Sequence, residues 1–185
     1  MFENIRADHA RYAGADAGPM ARIRAIVAYG FLATVVYRYG RWCRGIRPRW
    51  LSYPFKLVYA LLATACELVL GIDISTNCTI GPGLYIGHFG GIFLHGDLGR
   101  NCSVGQGVTI GFKGAGKSTR PPRIGDDVYI GTSAVIVGDI RIGNGVTVGA
   151  NTTVVKDVPD GYKVVSAAVR MIPPEPAGED ASPSG

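Results

Sequence analysis

The chain has 185 residues, and 47% of them are apolar, which is enough for the core of one ordinary domain and argues against disorder as the default state. Its formal net charge is +5, but the excess is confined to residues 1–72, which hold 10 Lys and Arg against 4 Asp and Glu. Residues 73–185 are nearly balanced, so no nucleic-acid partner is expected.

The N-terminal segment, residues 1–72, is predicted to be helical. Two apolar-rich stretches, Ala21–Trp42 and Ser52–Leu70, are separated by turn-forming Gly and Pro residues. We expect them to form a helical hairpin that caps the following domain. The basic residues here could face anionic lipid head groups, form a solvated helix face, or pair with acids in an assembly.

The targeting and redox signals favour a cytoplasmic protein. The four cysteines form no CxxC pair, and no cleavable signal segment precedes the fold. The longest charge-free apolar runs, Ala25–Tyr37 and Leu57–Cys66, are shorter than the roughly 20 residues of a spanning helix. Peripheral contact with the inner face of a membrane therefore stays open, whereas spanning is not expected.

A six-residue repeat runs through the middle of the chain and predicts its fold. Aliphatic residues recur at this interval at Ile74, Ile80, Ile86, Ile92, Leu98, Val104, Ile110, Ile124, Ile130, Ile136, Ile142, Val148 and Val154. Gly follows nine of them, at 81, 87, 99, 105, 111, 125, 131, 143 and 149. This period predicts a left-handed parallel β-helix, in which three short strands close each triangular coil. Gly is expected to supply the backbone angles and the close approach needed at the corners.

The repeat also sets the predicted domain limits. The β-helix domain is expected to cover residues 73–172, with residues 159–172 folding back along the prism. The interval widens to 14 between Ile110 and Ile124, which indicates a loop over residues 112–123. Residues 173–185 are rich in Pro, Ser, Gly and acids and are predicted to be a disordered tail.

His88 is the candidate catalytic residue on this scaffold. It is third in its hexapeptide, between glycines, and should project outward near a corner. A neutral imidazole in that position can accept a proton near neutral pH. The alternative is an ordinary surface histidine.

Two stretches around this histidine resemble a known family. One runs from Gly71-Ile72-Asp73-Ile74 through Tyr85-Ile86-Gly87-His88-Phe89-Gly90-Gly91. The other is Gln106-Gly107-Val108-Thr109-Ile110-Gly111, leading into Gly114–Ser118, Arg120 and Ile124. Both are similar to the serine acetyltransferase family, and the similarity covers residues 71 to about 159.

The resemblance implies an acetyl-CoA-dependent O-acetyltransferase that acts as a homotrimer. It implies that His88 deprotonates the acceptor hydroxyl, while Asp73, which stands 15 residues earlier, orients the imidazole ring. It further implies that acetyl-CoA contacts small residues of the late coils and charged residues near the end of the fold. The matching positions are Gly111, Thr132, Ala150, Lys156 and Arg170.

Departures from the family pattern bear on the acceptor. Gly87 and Pro121 stand where serine acetyltransferases carry an acid and a loop histidine, and Arg120 alone remains of the loop's charged pair. The loss of an acid that could hold an ammonium group favours a neutral acceptor, such as a sugar hydroxyl in polysaccharide biosynthesis. The resemblance extends to exopolysaccharide and capsule O-acetyltransferases, whose acceptors are often lipid-linked.

Two other functions are compatible with the same sequence. The nearest alternative keeps the chemistry with L-serine as acceptor, and the other is a non-catalytic scaffold or binding module. His95 and Arg120 are candidate acceptor-binding residues, although His95 could also be a solvated corner residue. Only two histidines lie in the β-helix, so we expect no metal, because a zinc site needs three or four ligands.

A phosphate-loop pattern also occurs in the loop and needs separate consideration. Residues 111–118 match G-x-x-x-x-G-K-[ST] letter for letter. In a true phosphate loop a helix follows, but here Pro121 and Pro122 follow and prevent helical continuation. The sequence therefore favours a loop that closes over CoA, with Lys113, Lys117 and Arg120 available to phosphates or acceptor.

Overall fold

The computed structural model describes residues 1–14, 16–114 and 120–167, and its N-terminal part is helical. The α-helices are α1 (Phe2–Ala13), α2 (Pro19–Ile26), α3 (Tyr29–Gly45) and α4 (Tyr53–Ala65). A 3₁₀ turn, Arg49–Ser52, precedes α4, and a π-helical turn, Cys66–Leu70, extends it. The first helix predicted from the sequence is in fact two, since the chain bends by 62° between α2 and α3, and α1 was not predicted.

Short strands follow in regular succession. They are β1 (Ile72–Ile74), β2 (Tyr85–Ile86), β3 (Ile92–Leu94), β4 (Asp97–Leu98), β5 (Ser103–Val104), β6 (Thr109–Gly111), β7 (Arg123–Ile124), β8 (Tyr129–Ile130), β9 (Val135–Val137), β10 (Arg141–Ile142), β11 (Thr147–Val148), β12 (Thr153–Val154) and β13 (Lys163–Val164). Every pairing between them is parallel.

The strands form the three faces of a prism, which confirms the predicted left-handed parallel β-helix. Face A contains β1, β3, β6, β9 and β12, face B contains β4, β7 and β10, and face C contains β2, β5, β8, β11 and β13. The aliphatic residue of each hexapeptide points inward and stacks on its counterpart in the next coil, as in Ile86, Val104, Ile130 and Val148 on face C. This apolar stack is the core of the molecule.

The corner glycines are needed for close approach rather than for unusual backbone angles. A Cβ atom on Gly81 would lie 2.6 Å from the backbone of Gly99, and one on Gly131 would lie 2.6 Å from the amide of Ala150. Neither glycine has a positive φ angle. The left-handed conformation falls two positions later, for example at Asn101, where φ is 57°. The sequence-based expectation was therefore right about packing and wrong about backbone angles.

A buried ion pair joins the helices to the first coils. Arg38 on α3 contacts Asp8 on α1 at 2.9 Å, and both side chains are almost fully buried. Asp8 also accepts hydrogen bonds from the amides of Gly83 and Leu84, while Arg38 donates to the carbonyls of Ile80 and Gly81. These contacts satisfy both charges and fix the helices against the start of the β-helix.

The end of the described chain differs from its prediction. Lys163–Val164 pairs with Thr147–Val148 and adds a strand to face C, so this part continues the prism instead of folding back along it. Its hydrogen bonds follow the pattern of the preceding coils, as in Gly149 N–H to Val164 O. The predicted tail, residues 173–185, lies outside the described residues.

One helix combines apolar composition with unusual exposure. Arg49–Leu70 is long and apolar enough to cross a membrane, and only 6% of its most apolar window is buried. The helices α2 and α3 are long and apolar enough to cross a membrane only if they are counted as one helix across the bend between them. In α4 no residue is fully buried, and the large apolar side chains of Leu57 and Leu61 in α4 and of Leu68 in the π-helical turn are exposed.

Candidate active site

One edge of the prism brings together the predicted base and two of the predicted CoA-contacting residues. At the corner between faces C and A, the residues two positions after Ile86, Val104, Ile130 and Val148 occupy equivalent places in successive coils. They are His88, Gln106, Thr132 and Ala150, and all four are exposed. We call this row the C–A edge. With a rise of about 4.8 Å per coil, it extends over about 14 Å.

A cavity of about 420 Å³ lies beside His88, between the C–A edge and the start of the helical segment. This volume is in the range of small-molecule sites. The described residues that line it are Tyr12, Ala21, Arg24, Ala25, Ala28, Tyr29, Gly30, Tyr85, Ile86, Gly87, His88 and Phe89. A second hollow, of about 430 Å³, contains none of the site residues predicted from the sequence.

Aromatic contacts hold the walls of this cavity in place. Tyr29 packs edge-on against Phe89, and Tyr12 packs against Tyr85 with ring centroids 4.8 Å apart. The Tyr12 hydroxyl donates to the carbonyl of Ile86 and accepts from its amide at 2.8 Å. Burial raises the pKa of Tyr12 well above its ordinary value, so the hydroxyl stays protonated and keeps both bonds.

Asp73 contacts a different histidine from the one predicted. Its Oδ2 atom lies 2.8 Å from Nε2 of His95, whereas no hydrogen bond joins it to His88 among the residues that the structure describes. The physical reason is register. Asp73 pairs with Phe93 in face A, and His95 lies two residues farther along the same outward face. His88 instead projects from the corner before that face, so within one chain Asp73 contacts His95, and the action of Asp73 on His88 stays a prediction.

The remaining predicted residues lie elsewhere. Gly111, at the end of β6, pairs with Val137, and the amide of His95 donates to the neighbouring carbonyl of Ile110. His95 and Gly111 therefore lie at the opposite end of face A from the C–A edge. Lys156 is exposed beyond β12. Arg120 is exposed where the loop returns to the prism, while Arg170 and loop residues 115–119, including Lys117, lie outside the described residues.

Sequence reasoning missed two kinds of residue. Gln106 follows an aliphatic-Gly pair as His88 does, so the repeat alone could have placed it on the same edge. Arg24 and Tyr29 reach the cavity only because the helices pack on face C, and no periodic signal indicates this. No group of three His, Cys, Asp or Glu side chains within residues 1–14, 16–114 and 120–167 could hold a metal ion, and the expectation of a metal-free protein remains a prediction.

The fold and this edge define a hexapeptide-repeat acyltransferase of the left-handed β-helix class. The family model for the bacterial transferase hexapeptide (six repeats) matches residues 121–156. No curated protein sequence matches the chain. Several solved structures match the chain, with high similarity in fold and moderate identity in sequence.

The serine acetyltransferase of Neisseria gonorrhoeae shares 31% identity with a TM-score of 0.73, over 93% of this chain and 64% of that protein. The same enzyme in complex with serine shares 30% identity with a TM-score of 0.70, over 92% of this chain and 68% of that protein. The soybean enzyme shares 29% identity with a TM-score of 0.73, over 92% and 68% of the two chains. The chain belongs to the serine acetyltransferase family, and it spans about two thirds of the length of these relatives.

Proposed function

We propose that this chain transfers an acetyl group from acetyl-CoA to a hydroxyl acceptor, with His88 as general base. The observation that carries the proposal is the C–A edge, which aligns His88 with the predicted CoA-contacting residues Thr132 and Ala150 and opens onto a cavity of ligand size. The relatives solved as serine acetyltransferases support the same chemistry.

In this mechanism His88 takes the proton of the acceptor hydroxyl as its oxygen attacks the thioester carbonyl. A tetrahedral oxyanion forms, and its collapse breaks the carbon–sulfur bond and releases CoA, which takes the proton back from the imidazolium. The N–H of Gly91, or that of Gly111 from a neighbouring copy, is the proposed donor to the oxyanion, because the N–H of Gly90 already donates to the carbonyl of Leu70. General base catalysis of this kind is worth about 10² to 10⁴ in rate.

L-serine is the first candidate acceptor. Its support is the family of the chain, including a relative whose structure was solved in complex with serine. A sugar hydroxyl in polysaccharide biosynthesis is the second candidate. It is favoured by Gly87 and Pro121 at positions where the family pattern has an acid and a histidine, because a serine ammonium group would lack that acid as a partner.

A homotrimer with sites between neighbouring prisms would bring the two ends of face A together. His88 and its edge lie at one end, and the Asp73–His95 pair lies toward the other. After Asp73, the outward row of face A continues in register with the uncharged residues Phe93, Thr109, Val135 and Thr153. Such a surface suits contact with another prism, and each site would then combine the C–A edge of one copy with the His95 end of the next.

The exposed helix Arg49–Leu70 supports a location of the protein at the membrane surface, held there by peripheral contact. Exposed basic residues accompany its apolar surface, namely Arg41, Arg44, Arg47, Arg49 and Lys56, against one acid in the helix, Glu67. This combination suits an anionic lipid surface. The helix would lie in the membrane plane rather than span it, because α3 packs along it and carries the buried Arg38–Asp8 pair.

Release of free CoA from acetyl-CoA tests the function and the acceptor together. Turnover with L-serine and not with sugars would establish the serine reaction, and the reverse would establish the glycan reaction. Saturable binding of acetyl-CoA with no CoA release across both panels would contradict the enzymatic proposal and favour a binding module.

A further inference from the structure

We propose that Arg24 recognises an anionic group on the acceptor, so that the cavity beside His88 selects hydroxyl compounds that carry a carboxylate or a phosphate. This inference rests on the proposed function. It assigns a specificity-determining residue to the N-terminal helices, where the sequence pattern indicated none.

The charged residues of the cavity lining favour an anionic ligand. Arg24 and His88 both line it, and the described lining includes no Asp or Glu. Arg24 is the sole lining residue there whose charge is permanent, because a guanidinium stays protonated at any physiological pH. The described lining therefore carries a positive and no negative formal charge, which favours an anion as the ligand.

The charge of Arg24 is not taken up by another group of the protein. Among the residues that the structure describes, no side chain or carbonyl forms a hydrogen bond or ion pair with its guanidinium. The buried Arg38 behaves differently, since it is fully paired with Asp8 and two carbonyls. A guanidinium offers two parallel N–H donors, which match the oxygens of a carboxylate or phosphate.

Packing and a hydrogen bond hold α2, the helix that carries Arg24, in place. Ala25, the next residue, is buried, and the carbonyl of Arg22 lies 3.0 Å from Nε2 of His9 on α1. Tyr29 and Phe89 pack edge-on and line the cavity beside His88. An acceptor whose anionic group pairs with Arg24 would thus be held by one end, with its hydroxyl free to meet His88.

The anion can come from two sources, the carboxylate of L-serine or an acidic group on a sugar. Matched pairs separate them: L-serine against L-serinamide, D-glucuronate against D-glucose, and D-glucose 1-phosphate against D-glucose. The full chain is compared with Arg24→Gln and with Arg22→Gln, an exposed arginine on the same helix that does not line the cavity.

We expect the wild-type chain to prefer the anionic member of at least one pair. Arg24→Gln should raise the KM for that member by about 10- to 100-fold with little change in kcat, while its neutral partner, the KM for acetyl-CoA and the Arg22→Gln variant stay unchanged. An equal effect on both members of the pair, or no effect, would overturn the proposal.

Calorimetric binding of the same pairs separates this inference from the proposed function. If no pair releases CoA but the anionic member binds the wild-type chain and not Arg24→Gln, the anion site stands and the proposed reaction fails. If the anionic members show no binding preference, or keep it in Arg24→Gln, the anion site itself is wrong.

Discussion

The imidazole of His95 lies 2.8 Å from the carboxylate of Asp73, and its other neighbour is the ring of Phe93, which stacks on it with centroids 3.8 Å apart. Both polar side chains are partly exposed, at 26% for His95 and 36% for Asp73. A carboxylate and a stacked ring fix an imidazole in one orientation. Within one chain, the histidine that Asp73 orients is therefore His95.

A double-mutant cycle should show that Asp73 acts through His95. We expect Asp73→Asn and His95→Gln each to lower kcat/KM by about 10-fold or more and the double variant to be no worse than either single one, because each change removes the same contact. Steady-state rates of CoA release measure this. Additive losses would mean that Asp73 serves another group, such as His88.

Replacement of His88 should abolish most of the activity without affecting the fold. We expect His88→Gln to reduce the rate of CoA release by about 10² to 10⁴, since glutamine cannot act as the base. The thermal midpoint should not change, because the side chain is exposed. Glu3→Gln, at an exposed residue of α1 outside the C–A edge, is the control. Retention of near wild-type activity in His88→Gln would remove the proposed base.

The packing of the corners predicts a sharp cost for one added methyl group. Gly81→Ala should lower the free energy of unfolding by about 1–3 kcal/mol, because its Cβ would lie 2.6 Å from the backbone of Gly99. Gly45→Ala is the control, since nothing lies within 4 Å of a Cβ at that helical position. Urea denaturation compares the two. Equal stabilities would show that the coils can separate without cost.

Loss of the buried Asp8–Arg38 ion pair should lower the free energy of unfolding by more than Gly81→Ala does. Asp8→Ala should destabilise the protein by about 3–5 kcal/mol, because it leaves the charge of Arg38 buried without its partner. It also removes the acceptor for the amides of Gly83 and Leu84. Asp16→Ala, at an exposed acid, should cost little by the same denaturation assay. A small effect of Asp8→Ala would mean that the helices contribute little to the stability of the β-helix.

The exposed apolar helix predicts binding to acidic membranes. The chain should float with phosphatidylcholine vesicles that contain phosphatidylglycerol and less with phosphatidylcholine alone, because its basic residues need anionic lipid. Leu57→Asn combined with Leu61→Asn should abolish flotation, whereas Val165→Asn, exposed on the last coil, should not. If the double variant instead changes the oligomer size with no wild-type flotation, another copy of the chain covers this helix.

The repeat itself was sufficient to predict the β-helix, because a strict six-residue period of aliphatic residues can be buried only if the chain turns a corner at each interval. The same regularity predicted that His88 points outward, and it could have placed Gln106 beside it. The helical segment was harder, since the break between α2 and α3 and the existence of α1 depend on packing against the first coils. Nothing in the local sequence distinguishes Asp8 from an exposed acid, because its partner Arg38 is distant in the chain.

Taken by itself, the sequence determined the fold class, the outward position of His88 and the family resemblance, because these follow from periodicity and from residues close together in the chain. Only the tertiary structure decided which side chains meet. The partner of Asp73 is set by the register of β1 against β3, and the position of Arg24 at the cavity beside His88 is set by the packing of α1 and α3, which hold α2, against β2 of face C. Contacts between residues distant in the chain depend on how coils and helices stack, which no local pattern specifies.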